Sequence, residues 1–178
     1  MNDLPEALQR VWDVADKLAA RHLKDPRRVL DPCGLLLERP LRRWTYSCTP
    51  ANALTFASTG GDGVHYGLLE LIGAGAESWP VVMTVPMADT QNLVIAADLR
   101  EFLGLGYHVG WFSLEGLVYG DPEGTVDYFS APDTESSDRE TMLATLRSEV
   151  PISYVRLSLV RIQALQLEFG QHIRPRVD

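Results

Sequence analysis

The order of segments along the chain predicts an α+β protein. Three observations carry that reading. An apolar stripe of helical period opens the chain. Short strand-like runs, punctuated by glycine and proline, fill its middle. Two further helical stripes follow Ser137. Regular alternation of strand and helix, the mark of a parallel sheet, is missing from this order. The 178 residues are enough for one domain with a real core, and no repeat or linker divides 1–178.

Taken in order, Leu4, Leu8, Val11, Ala15 and Leu18 recur at spacings of three and four, which predicts a helix over Leu4 to Leu23. Asp3 and Glu6 fit a capping arrangement, with Pro5 tolerated in the first turn. A polar, proline-bearing connector runs to Pro40. Trp44 to Cys48 predicts a short strand, rich in aromatic and hydroxyl residues. Leu54 to Ser58 and Val64 to Ile72 predict strands flanking Gly60-Gly61-Asp62-Gly63. Three glycines in four residues allow left-handed backbone angles, and Asp62 can bond its own backbone, so a tight hairpin is expected. Pro80 to Pro86 reads as a buried strand bounded by prolines, and Leu93-Val94-Ile95 as a strand end or the approach to a helix.

Asp98 to Leu105 predicts a helix with Leu99, Phe102 and Leu103 on one face and a glycine stop. Val109 to Leu117 is ambiguous. Thr125 to Phe129 reads as a late strand, and Ser130 to Ser137 as a polar loop. Ser137 to Glu140 is a capping-box pattern opening a helix to about Glu149. Val155, Leu159, Ile162, Leu165 and Phe169 give a last helix with Gly170 as its stop. Arg174 to Asp178 is expected to fray.

Hydrophobic residues make up 46% of the chain and charged residues 22%, ordinary for a globular protein. No apolar run approaches the ~18 residues of a membrane span. The start, MNDLPEALQRVWD, is polar and periodic rather than leader-like, so a cytoplasmic location is expected. Cys33 and Cys48 form no CxxC pair and read as reduced thiols. His22, His65, His108 and His172 are dispersed, and neither a metal nor any other cofactor is expected.

The net charge is −8 and unevenly spread. Arg21 to Thr45 holds seven basic and three acidic residues. Tyr46 to Tyr154 holds three basic and fifteen acidic, a balance of −12. Such a body repels nucleic acid and favours basic partners, and with no apolar span no membrane association is expected. Glu70, Glu77, Asp89, Asp121, Glu123 and Asp127 are therefore the candidate partner contacts, with no catalytic residue assigned. Aromatics along the sheet region, among them Trp44, Tyr46, Trp111, Phe112 and Tyr119, are candidates for core or for interface anchors.

Two other classes stay open. One is a small-molecule-sensing or regulatory module with a pocket beside the glycine turn. The other is a hydrolase built on Asp62 and His65, with Ser58 and Thr59 nearby. Alternation along a strand argues against that convergence, since His65 shares its face with Gly67 and Leu69.

The run Thr49-Pro50, then Leu54-Thr55-Phe56-Ala57-Ser58-Thr59-Gly60-Gly61-Asp62-Gly63-Val64-His65-Tyr66, resembles the central hairpin of the SUKH superfamily. That superfamily takes in bacterial toxin-immunity proteins, Syd-like proteins and cell-wall-assembly regulators. The Pro80 to Met87 strand, Leu99-x-x-Phe102-Leu103 and Gly110-x-Phe112 are similar in order, so the likeness spans about Trp44 to Leu117. The resemblance implies a single mixed, largely antiparallel curved sheet packed by N- and C-terminal helices. It implies a protein-binding scaffold rather than an enzyme, with immunity against a cognate toxin, often a nuclease, as a role. The acidic body suits a basic toxin domain as the partner. The scaffold itself is expected to be a monomer or a homodimer.

Overall fold

The computed structural model describes residues 4–131 and 137–176. Helix α1 (Glu6–His22) leads into a sheet of five strands: β1 (Leu36–Arg42), β2 (Ala53–Ser58), β3 (His65–Leu69), β4 (Val81–Thr84) and β5 (Asn92–Ala96). Helices α2 (Leu99–Leu105), α3 (Pro122–Ser130), α4 (Ser137–Glu149) and α5 (Leu159–Phe169) follow, with a 3-10 helix at Phe112–Leu117 between α2 and α3. The strands lie in chain order, each pair antiparallel. This is the expected α+β class, realised as a simple meander.

Alternation along β3 sorts the two faces of the sheet. Tyr66 and Leu68 enter the main apolar core with Phe56, Met83, Phe102 and Trp111. Their rings meet directly: Phe102 sits 5.2 Å from Phe56 and 4.9 Å from Tyr66, centroid to centroid. Two buried polar atoms on this face are satisfied by backbone. The Tyr66 hydroxyl donates to Trp111 O at 2.7 Å, and the Trp111 indole N–H donates to Phe102 O at 2.9 Å. Leu8, Val11, Trp12 and Leu18 of α1, with Leu143 and Leu146 of α4, complete the layer.

The other face carries His65, Gly67, Val82 and Thr84, and what covers it is not a helix. The segment 43–52 and the residues after α5 cross it as a strap. Trp44 and Tyr46 lay their rings on the His65 imidazole at 4.7 and 5.8 Å. Asn92 accepts from Thr84 and donates to Cys48 O. Asn52 ties the chain end in place, donating to His172 O and accepting from Arg174 N at 3.0 Å. Arg176 donates to Trp44 O at 2.8 Å.

Four expectations need correction. Trp44 to Cys48 is not a strand, because its aromatic rings pack down on His65 while its backbone turns, with Thr49 N donating to Tyr46 O. The edge strand is instead β1, inside the supposed connector. Pro40 is tolerated there because an edge strand leaves one side of its backbone unpaired, and the register shifts between Leu37 and Arg42. Thr125 to Phe129 is helical despite its β-branched and aromatic composition. Asp121 caps α3 by accepting from Gly124 N at 3.0 Å, Pro122 occupies the first turn, and Thr125 and Phe129 bury one face four residues apart. Residues 174–176 do not fray, being held by Asn52 and Trp44. The Asp3 cap, the loop over 132–136 and residues 177–178 lie outside the described residues.

Candidate partner-binding groove

The glycine turn joins β2 to β3 as a hairpin. Gly60, Asp62 and Gly63 take left-handed φ angles of 80°, 46° and 74°, whereas Gly61 does not. Thr59 N donates to Val64 O, and Val64 N to Gly61 O. A side chain at Gly63 would press on Pro86 and on the Tyr46 ring at 3.2–3.3 Å.

His65 is fully enclosed beside this turn. Its Nδ1–H donates to Gly63 O at 2.7 Å, which leaves Nε2 to accept from Thr49 Oγ1 at 3.0 Å. Burial pushes its pKa below the ordinary histidine value, with the Gly63 carbonyl opposing, so the ring is neutral. Asp62 bonds neither nitrogen. The structure uses His65 as a post for the strap and sends the Asp62 charge elsewhere.

That charge acts on the 3-10 helix Phe112–Leu117. Glu115 has its pKa raised by partial burial and by the nearby Asp62 carboxylate, and the Tyr119 hydroxyl is raised by burial and by the same two charges. Glu115 lies in a shallow groove of about 300 Å³ between this helix and the start of α3. Phe112, Tyr119 and Tyr128 line it with rings that are 53, 47 and 42% exposed, far more than an aromatic side chain in a core. Glu123 and Asp127 project from α3 next to it, both exposed. Among the described residues, Asp62, Glu115, Glu123 and Asp127 make no ion pair. Between Arg43 and Arg139 the chain has a single cation, Arg100, and that arginine faces Glu6.

The six acids singled out by charge divide in two. Glu70 is paired with Arg43. Glu77 accepts from the Glu6 amide at 2.5 Å, serving the start of α1 in place of a side-chain cap that Pro5 cannot supply. Asp121 caps α3. These three have internal work. Asp89, Glu123 and Asp127 are exposed and make no ion pair among the described residues. Charge counting passed over Glu115. The signal for it was one acid inside the apolar run FSLEGLVY, where even a half-buried carboxylate needs a reason.

Other hollows are more settled. A groove of about 460 Å³ lies along the strap, walled by Arg42, Arg43, Trp44 and Tyr46, with Arg42 paired to Glu38 and Arg43 to Glu70. Another, of about 560 Å³, lies where residues 171–174 close on Asn52, and its walls bond to each other. Both cysteines are free thiols, and burial pushes Cys33 up to about 12. Among the described residues, no three His, Cys, Asp or Glu side chains are grouped to hold a metal ion, and no helix is long and apolar enough to cross a membrane. No family model matches this chain, and no curated protein matches it either.

Proposed function

We propose that this chain is a non-enzymatic protein-binding domain of SUKH type, and that it takes a basic protein partner on the groove formed by Phe112, Glu115, Tyr119 and Tyr128. One observation carries the reading. The half-buried Glu115 carboxylate lies among three half-exposed aromatic rings, its pKa raised by burial and by repulsion from the Asp62 charge, and neither acid makes an ion pair among the described residues. A lysine or arginine from a partner would relieve that repulsion and lie against the rings as it did so. The hairpin's likeness to the SUKH family supports a binding role and, within it, immunity toward a basic, nuclease-like toxin.

The test is quantitative capture of partners from cell lysate by the wild type and by the E115Q/E123Q/D127N variant, followed by association kinetics at several salt concentrations. The reading expects one stoichiometric partner with a basic domain, bound faster at low salt and lost from the variant. A partner retained equally by both proteins, or one that binds independently of salt, would overturn it.

A second reading has one observation in its favour. The indole N–H of Trp44 and Nε of Arg176 are buried with no hydrogen-bond acceptor among the described residues, and Trp44 also walls the groove that Arg42 and Arg43 edge. A flat anionic metabolite there would make the protein a ligand sensor. Thermal shift with a panel of aromatic and phosphorylated acids decides it, and R42A/R43A should erase any rise in melting temperature.

A further inference from the structure

Helix α5 buries Ile162 and Leu165 against β5, yet its opposite side is apolar too. Val160 and Leu167 are 77 and 85% exposed, with Ala164 exposed between them. Spacings of four and three place all three on one stripe. Beside that stripe, sharing Leu167 with it, lies a groove of about 510 Å³ walled by Leu93, Ile162, Gln163, Gln166 and Leu167. Its floor is closed to a visiting strand, because Gln166 Oε1 already accepts from Val94 N at 3.1 Å, the outward amide of the edge strand. Whatever covers this face must do so with side chains.

We infer that the cover is a second copy of the chain, its α5 packed antiparallel on this one about a two-fold axis at Ala164. The pattern is self-complementary, as an isologous interface requires. Leu167 is at once the most exposed knob and a wall of the groove, so each copy offers what the other lacks. Charge changes sign across Ala164. Arg161 lies on the N-terminal side and Glu168 on the C-terminal side, seven residues apart and so on one flank. Antiparallel packing sets Arg161 against Glu168 of the partner subunit, twice. Arg161 is already oriented by Glu101, which takes its Nε and one terminal nitrogen at 2.8 and 2.9 Å, while the other terminal nitrogen has no partner among the described residues. The small side chain of Ala164 lets the helices approach closely where they cross. The stripe shares no residue with the acidic groove, so a dimer would carry two copies of that groove.

Light scattering during size exclusion, over a wide concentration range, should give a mass that doubles as concentration rises. Leu167→Glu should hold the protein at monomer mass with its helical signal and cooperative unfolding retained, since the side chain is solvent-exposed in the single chain, and should remove any concentration dependence of the melting temperature. Ala164→Cys in a Cys48→Ser background should form a covalent dimer on mild oxidation. Glu168→Cys in the same background should not, because its two copies would lie about 12 Å apart along the axis. Monomer mass throughout, a dimer that survives Leu167→Glu, or cross-linking at 168 in preference to 164 would each overturn the proposal. Monomer mass combined with partner capture that Leu167→Glu abolishes would instead mark the stripe as a surface for a different protein.

Discussion

Two aromatic grooves flank the glycine turn, and they differ in how their charges are settled. On the strap side, Trp44 and Tyr46 stand beside Arg42 and Arg43, and each arginine has its own carboxylate in Glu38 or Glu70. On the other side, Phe112, Tyr119 and Tyr128 stand beside Glu115, whose charge is opposed by that of Asp62, and neither acid makes an ion pair among the described residues. The paired side is held by the chain's own contacts. The unpaired side keeps a repulsion that the fold does not relieve, and such repulsion is tolerated where something outside the chain relieves it. A surface with many charges is therefore a weaker sign of binding than one with a few uncompensated ones.

Both flanks hang on the turn, so the largest effect should come from breaking it. Gly63→Val forces a branched side chain into a left-handed backbone and onto Tyr46, at a cost of about 1–3 kcal/mol. Gly61→Ala meets open space at an ordinary φ and should leave stability within experimental error. Urea unfolding of the two variants checks this, and equal losses would mean the turn is not the common support described.

The contrast itself sharpens with charge reversal. E115K/E123K/D127K should slow association with a basic partner by ~10- to 100-fold at low salt and flatten its salt dependence. R42A/R43A on the settled side should leave that rate unchanged. Stopped-flow mixing at two ionic strengths separates the outcomes.

A pH titration reads the strap. The pKa of His65 in the folded protein lies below its ordinary 6.5, so the unfolded chain binds the extra proton first. Stability should be level above neutrality and decline as pH falls through about 6.5 toward the folded value. His65→Gln, which keeps a donor and an acceptor, should remove that slope. A slope unchanged in the variant would assign it to another group.

The smallest effect is the most telling about the acidic groove. The pKa of Glu115 is raised in the folded state, so its ionised form costs stability at neutral pH and its protonated form at acid pH does not. Glu115→Gln should therefore stabilise the free protein slightly near neutrality, the gain being small because solvent screens the group, and not at all in acid. The same variant should bind a basic partner less tightly. A side chain whose loss helps the fold and harms binding is not there for the fold.

Much of this fold was legible where local chemistry and tertiary packing agree. Helix α1 shows its stripe, the hairpin its glycines, and β4 its two bounding prolines. The misreadings fall where they disagree. Strand β1 hides behind Pro40, which only its edge position excuses. Helix α3 carries strand-like residues behind an Asp121-Pro122 start that outweighs them. The strap reads as a strand because aromatic and hydroxyl residues suit a sheet, and pattern alone does not reveal that they lie flat on one. The groove was half legible. Phe112 and Tyr119 stood out as aromatics and Glu123 and Asp127 as acids, but Glu115, marked only by its place in an apolar run, gains its meaning when the fold sets it among those rings and within reach of the Asp62 charge.

The bond from Val94 N to Gln166 has a consequence for the life of the protein in concentrated solution. An uncovered edge strand is a template on which other chains nucleate cross-β deposits, and Leu93-Val94-Ile95 is an apolar, uncharged segment of the kind that does so. One amide side chain from α5 occupies the outward donor of that segment at its middle residue. Gln166→Leu would keep the helix and much of its packing while freeing that donor. The variant should turn thioflavin-positive on gentle warming well before it loses helical signal, which would assign to a single glutamine a protection against aggregation usually credited to net charge.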